Sequence, residues 1–169
     1  MLVGAERPAA TWELIEGAGV AVVLTWCGDA RVSSVTVDNE KAALRLPDWL
    51  VGEQPLTLAG GRTGCSAMLA LEQPPTALIG GIDMLAIGCI EELHSRGLNV
   101  PGALSVVGID NIEMSAHIFP SLTSVHLPVA RIGEAAASCL LDELAGKGVN
   151  SPLELPIELV PRKSSAKLI

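Results

Sequence analysis

Residues 74–127 read PPTALIGGIDMLAIGCIEELHSRGLNVPGALSVVGIDNIEMSAHIFPSLTSVHL, and this stretch decides the fold. A short apolar run at 76–79 gives way to an acidic cap, Asp83, and to a helical pattern that ends at Gly97. Pro101 opens a second apolar run, 104–109, closed by Asp110-Asn111. Strand, helix and strand with short connections form the βαβ unit of a parallel sheet. Ligands of such sheets bind beyond the carboxyl ends of the strands. Asp83 and Asp110 both stand at such ends, so two carboxylates are expected to face one crevice.

Working outward, Pro8 suits the first turn of a helix over 9–16, with Trp12 and Ile15 on one side and Gly17 and Gly19 stopping it. Residues 20–25 are a continuous apolar strand of the buried parallel kind. Residues 35–37 form another, ending at Asp38-Asn39, where a helix starts; Pro47 falls inside 42–50 and kinks or ends it. A helix is expected over 63–72 and a strand over 122–127. Pro128 then opens a helix whose apolar stripe is Val129, Ile132, Ala136, Cys139/Leu140 and Leu144, closed by Gly146. Residues 153–160 alternate apolar and polar, and Pro156 within them predicts an edge strand.

Composition narrows the function. The 169 residues suffice for an ordinary core, and the apolar fraction of 49% excludes a disordered chain. The net charge of −8 with no basic run argues against direct nucleic-acid binding, which needs clustered Lys and Arg to neutralise phosphates. No apolar run reaches membrane-spanning length, and residues 1–4 do not make a secretory signal, so the cytoplasm is the expected compartment. Aromatics are scarce: one Phe, three Trp and no Tyr. Cys27, Cys65, Cys89 and Cys139 are widely spaced, without a CxxC, and read as reduced core residues rather than metal ligands.

The quoted stretch resembles the LacI/GalR family of bacterial transcription regulators. Members read PPTA, then Asn-Asp-x-x-Ala-x-Gly, then a helix ending RGL-x-VP, then SVVG-[FY]-D-[DN] and P-x-LT-[ST]-V. Here stand Pro74-Pro75-Thr76-Ala77, Asp83-Met84-Leu85-Ala86-Ile87-Gly88 and Arg96-Gly97-Leu98-Asn99-Val100-Pro101. Ser105-Val106-Val107-Gly108-Ile109-Asp110-Asn111 and Leu122-Thr123-Ser124-Val125 follow, all in order and at family spacing. Val35-Thr36-Val37-Asp38-Asn39 and Leu159-Val160-Pro161-Arg162 extend the likeness towards both ends. The resemblance implies an α/β, periplasmic-binding-protein-like fold of two lobes with three chain crossings between them. Mapped onto this chain, 1–51 and 128–148 form a first, incomplete lobe, and 53–127 and 149–169 the second. It also implies that the helix-turn-helix headpiece is absent, and that a block of the first lobe is missing near Val51-Gly52-Glu53.

Several groups carry a functional reading beside a plainer one. Asp38, Asp83 and Asp110 each follow an apolar run at a strand-to-helix junction, and ionised carboxylates accept hydrogen bonds from hydroxyls. Each also suits a simple helix cap; the resemblance places ligand-contacting acids at Asp38 and Asp110. It places ligand contacts at Ile82 and Val129 as well, although the family's hydroxyl-binding Asn is Ile82 here, and its ligand-gripping Arg lies in the missing block. In relatives the helix matching 83–96 and the segment matching 112–119 line a dimer interface, which implies Ile87, Ile90, Ile118 and Phe119 at one here; helical spacing alone makes the first two core residues. His94, His117 and His126 form no triad or metal set with the acids. The glycine-rich Gly60-Gly61-Arg62-Thr63-Gly64 reads as a turn feeding a helix or, less simply, as an anion-binding loop.

The sequence therefore predicts the effector-binding and dimerisation core of a LacI/GalR-type transcriptional regulator. It is expected to be neither an enzyme nor itself DNA-binding, with no cofactor and no metal. The expected partners are a sugar, polyol or nucleoside effector and a second copy of the chain. A free-standing solute-binding protein, a non-sensing dimerisation partner and a decayed fragment are the alternatives.

Overall fold

The computed structural model describes residues 2–3, 23–25, 33–37, 54–147 and 153–167. The expected helices over 9–16 and 42–50 and the junction at 51–53 lie outside them. The chain divides into two compact units, one of Met1–Asn39 with Pro128–Ile157, the other of Glu40–Leu127 with Glu158–Ile169, so it passes between them three times.

The first unit holds a wholly parallel sheet in the order β1 (Leu2–Val3), β2 (Val23–Thr25), β3 (Ser33–Val37), β7 (Leu153–Leu155). Helix α4 (Val129–Leu144) packs on β2 and β3. The second unit has α1 (Leu58–Leu69), β4 (Ala77–Ile79), α2 (Asp83–Ser95), β5 (Ser105–Asp110), α3 (Glu113–His117), β6 (Thr123–His126) and β8 (Glu158–Val160). Its sheet runs β4-β5-β6-β8; β4, β5 and β6 are parallel and β8 is antiparallel to β6.

One expectation is corrected here. Residues 153–160 are two short strands in different sheets, β7 against β3 and β8 against β6, rather than one edge strand of the second lobe. Pro156, without an N–H to donate, stands where pairing stops and the chain leaves one unit for the other.

Local chemistry explains the helix ends. Helix α2 stops as its pattern required: Gly97 takes φ +72°, its N–H reaches the His94 carbonyl at 3.0 Å, and the Leu98 N–H reaches Leu93 at 2.9 Å. This is the double C-terminal bond that satisfies the last carbonyls of a helix. Gly146 closes α4 in the same way, with Lys147 donating to Asp142. Helix α1 begins five residues before the expected position, capped by Thr57 Oγ1 on the Gly60 N–H at 3.0 Å.

Gly60, Gly61 and Gly64 are consequently inside α1, neither a turn nor an anion loop. Their reason is space. A Cβ on Gly61 would run into the Leu85 carbonyl of α2, and one on Gly88 of α2 into the Leu58 carbonyl of α1. The two backbones touch at this crossing and bring the free, buried Cys65 and Cys89 to 2.9 Å between sulfurs. Under it lies the core, built from Ala86, Ile90, Leu93, Leu104, Val106 and Leu122. The segment after β8 is stitched to the sheet by Ser164, whose hydroxyl donates to the Val106 carbonyl at 2.6 Å and accepts from the Thr123 N–H at 2.8 Å.

Candidate functional site

The carboxyl ends of β5 and β6 and the start of α2 form the candidate site. Asp83, the first residue of α2, is fully buried (0% exposed). It does not cap its own helix: the N-cap is Ile82, which makes no side-chain cap bond. Its carboxylate turns inward and accepts three hydrogen bonds, from the Ile112 N–H (2.9 Å) and the Ser115 hydroxyl (2.5 Å) at Oδ2, and from the Ser124 hydroxyl (2.6 Å) at Oδ1. A buried carboxylate must be paired in this way, and three charge-assisted bonds meet the need. Gly108 in β5 makes the room, since a Cβ there would strike Asp83 and Leu122. Neither capping nor an exposed ligand contact, the two roles expected of Asp83, matches this arrangement.

Asp110 closes β5 in an unusual backbone state, φ +114°, and Asn111 follows at φ +56°. Asn tolerates the left-handed region because its short polar side chain bonds locally; Asp at +114° is strained. The Asn111 N–H donates to Ser124 Oγ at 3.0 Å. Its side-chain oxygen accepts from Arg162 Nη2 at 2.7 Å, and its amide nitrogen stands 3.4 Å from His126 Nδ1. Arg162 is fixed in turn by the Leu122 carbonyl at 2.7 Å. Burial, and next the nearby charge of Asp83, push the Asp110 carboxyl up to about 6, against a smaller opposing effect of backbone hydrogen bonding at Asp83. A half-buried carboxyl near neutrality can accept from a ligand hydroxyl when ionised and donate when protonated.

The other predicted residues are dispersed. Asp38 lies outside the described residues. Ile82 is partly buried at the head of α2, and Val129 is exposed at the first position of α4 in the other unit. Ile87 and Ile90 are corrected from interface to core: each is 3% exposed, because α2 turns that face towards α1 and the sheet. Ile118 is partly buried against the same core, whereas Phe119 is 84% exposed with Met114 exposed one short helix earlier. Ser124, Ser115, Asn111 and Arg162 were not anticipated. Only Asn111 left a signal, an Asp-Asn pair at a strand end being suited to a left-handed turn.

Residues 23–165 match the family model described as periplasmic binding protein-like domain. The chain belongs to that family. Within it, the LacI/GalR effector-binding core is the form that fits, as the ordered motifs had indicated. The PurR transcriptional repressor of Aliivibrio salmonicida is 37% identical over 123 residues, 72% of this chain and 37% of its own length. PurR of Proteus mirabilis is 33% identical over 140 residues, 82% and 41% respectively. The chain thus spans about two fifths of the length of these curated relatives. A solved putative LacI transcriptional regulator from Bacillus cereus subsp. cytotoxis superposes with a TM-score of 0.88 at 19% identity, covering 99% of this chain and 76% of that one. A LacI-family regulator from Enterococcus faecalis, solved with bound ribose, gives 0.83 at 19%, covering 99% and 78%. These two establish the periplasmic binding protein-like fold. Among the described residues no helix is long and apolar enough to cross a membrane, and no group of His, Cys, Asp and Glu could hold a metal ion.

Proposed function

We propose that this chain is the effector-binding core of a cytoplasmic transcriptional regulator, taking up a small hydroxyl- or N–H-bearing molecule at the carboxyl ends of β5 and β6. The observation that carries the reading is Asp110, a half-buried carboxyl held in a strained backbone state where ligands of such sheets bind. The solved neighbour holding ribose supports a sugar-like effector. Binding rather than catalysis is the chemistry, in keeping with relatives named as transcriptional repressors.

The test is a thermal melt of the purified chain with a panel of sugars, polyols and nucleosides. A ligand at a hundred times its dissociation constant adds about 2.7 kcal/mol. For a chain of this size that is roughly 5–10 °C. The expected result is a shift with one ligand class that Asp110→Ala abolishes. No shift with any of them sinks the reading.

A second property follows from Phe119. A large aromatic group standing almost wholly in water suits a self-complementary contact, so the chain pairs with a second copy through Phe119.

A further inference from the structure

The Asp83 carboxylate is enclosed, and its three donors all belong to the path the chain takes around the end of β5. The Ile112 N–H binds it directly, the Ser115 hydroxyl binds it from α3, and the Ser124 hydroxyl binds it while accepting the Asn111 N–H. Both backbone amides that follow Asp110 are therefore tied to one carboxylate, one directly and one through Ser124. A non-glycine residue at φ +114° is strained and persists only where its surroundings over-determine it. These two ties are such surroundings.

We propose that Asp83 is a positioning residue for Asp110: through Ser124 and the Ile112 N–H, its buried carboxylate holds the left-handed turn at 110–111 and so sets where the Asp110 carboxyl is presented. The inference rests on reading that strand end as the effector site. Three charged or titratable groups face the turn. Asp83 comes from α2, His126 from the position of β6 that pairs with Asp110, and Arg162, beyond β8, reaches the Asn111 side chain. Arg162 and His126 hold the side chain of Asn111, whereas the Asp83–Ser124 pair holds its backbone N–H.

The test needs no ligand. The carboxyl carbon of Asp110 is followed by NMR in the full chain through the range around pH 6, together with hydrogen exchange at the Asn111 and Ile112 amides. The unsubstituted chain is expected to titrate at about 6, and both amides, though outside helix and sheet, to exchange at least about tenfold more slowly than an open loop. Ser124→Ala removes the hydroxyl shared by the turn and Asp83. It is expected to move the Asp110 midpoint by about one unit or more towards the ordinary carboxylate value and to release the Asn111 amide; Ser124→Thr restores both. A cooperatively folded Ser124→Ala chain with an unchanged midpoint and unchanged exchange overturns the proposal, since a purely structural Asp83 would lower only the melting temperature. Should that variant not fold, fast exchange at the two amides of the unsubstituted chain overturns it alone, and slow exchange supports it. Adding D-ribose in a parallel melt separates the two readings. A melt that ribose and the rest of the panel leave unmoved removes the effector site, while the clamp is judged on midpoint and exchange.

Discussion

Asp110 is a residue whose two states the fold treats unequally. Its carboxyl is raised to about 6 from an ordinary 3.8, first by burial and then by Asp83, so the folded chain favours the protonated form. Its contribution to stability is fully present below pH 3.8 and is lost as pH rises through about 6. Asp110→Asn removes the charge at nearly constant shape. It is expected to stabilise the chain at pH 7.5 by about 1–2 kcal/mol, a figure already reduced for the partial exposure of the group. Any gain from the better left-handed tolerance of Asn is independent of pH, so the difference between melts near neutrality and near pH 4 isolates the charge. At this scale the sequence was half legible. The position of Asp110 at a strand end follows from the apolar run before it and from the Asp-Asn pair that it opens. The inward turn of Asp83 does not, because Ser115 and Ser124 lie 32 and 41 residues further along the chain and no local pattern announces them.

Helices show why boundaries were read well at one end and badly at the other. Gly97 and Gly146 stand where the apolar stripes stop, and each ends its helix with the expected left-handed residue. The start of α1 was missed because Gly60 and Gly61 look like a turn when only local propensity is weighed; two mid-helix glycines each cost about 1 kcal/mol relative to Ala. Tertiary packing reverses that preference: Gly60 leaves room for the Pro55 carbonyl, and Gly61 admits the backbone of α2. The same substitution should therefore have opposite signs on two helices. Gly88→Ala forces α1 and α2 apart and is expected to destabilise by about 1–3 kcal/mol. Gly133→Ala in α4 meets nothing within 4 Å and is expected to stabilise by about 0.5–1 kcal/mol. Denaturant melts of the two variants, read at constant slope, check both. At Ile87 and Ile90 helical spacing alone pointed to the core and the resemblance to an interface; the packing of α2 follows the spacing.

For the whole molecule, the parallel-dominated sheets agree with what ordered motifs and family spacing implied, because those motifs record strand ends and helix starts that repeat with the fold. What they could not locate was the division of residues 153–160 between two sheets, which depends on partners far away in sequence. Self-association is the property that this scale tests. Phe119→Asp places a charge on the most exposed large apolar side chain of the described residues and is expected to convert a dimer to a monomer in sedimentation velocity, with little change in the melt of the monomer. A dimer that survives the substitution places the contact elsewhere.

The antiparallel pairing of β6 with β8 has a consequence for how the chain may be rewired. His126 lies opposite Glu158, so the strand by which the chain leaves the second unit and the strand by which it returns are adjacent at their ends. In topological terms, Pro128–Ile157 is an insertion into a β-hairpin. Replacing it with a short turn would shorten the closed loop about tenfold, lowering its closure entropy cost by roughly 2 kcal/mol. The excised unit is expected to melt cooperatively on its own and to keep the raised midpoint of Asp110, every group that sets it being retained. The hairpin geometry would thus make the strand ends around Asp110 available as an autonomous, graftable module.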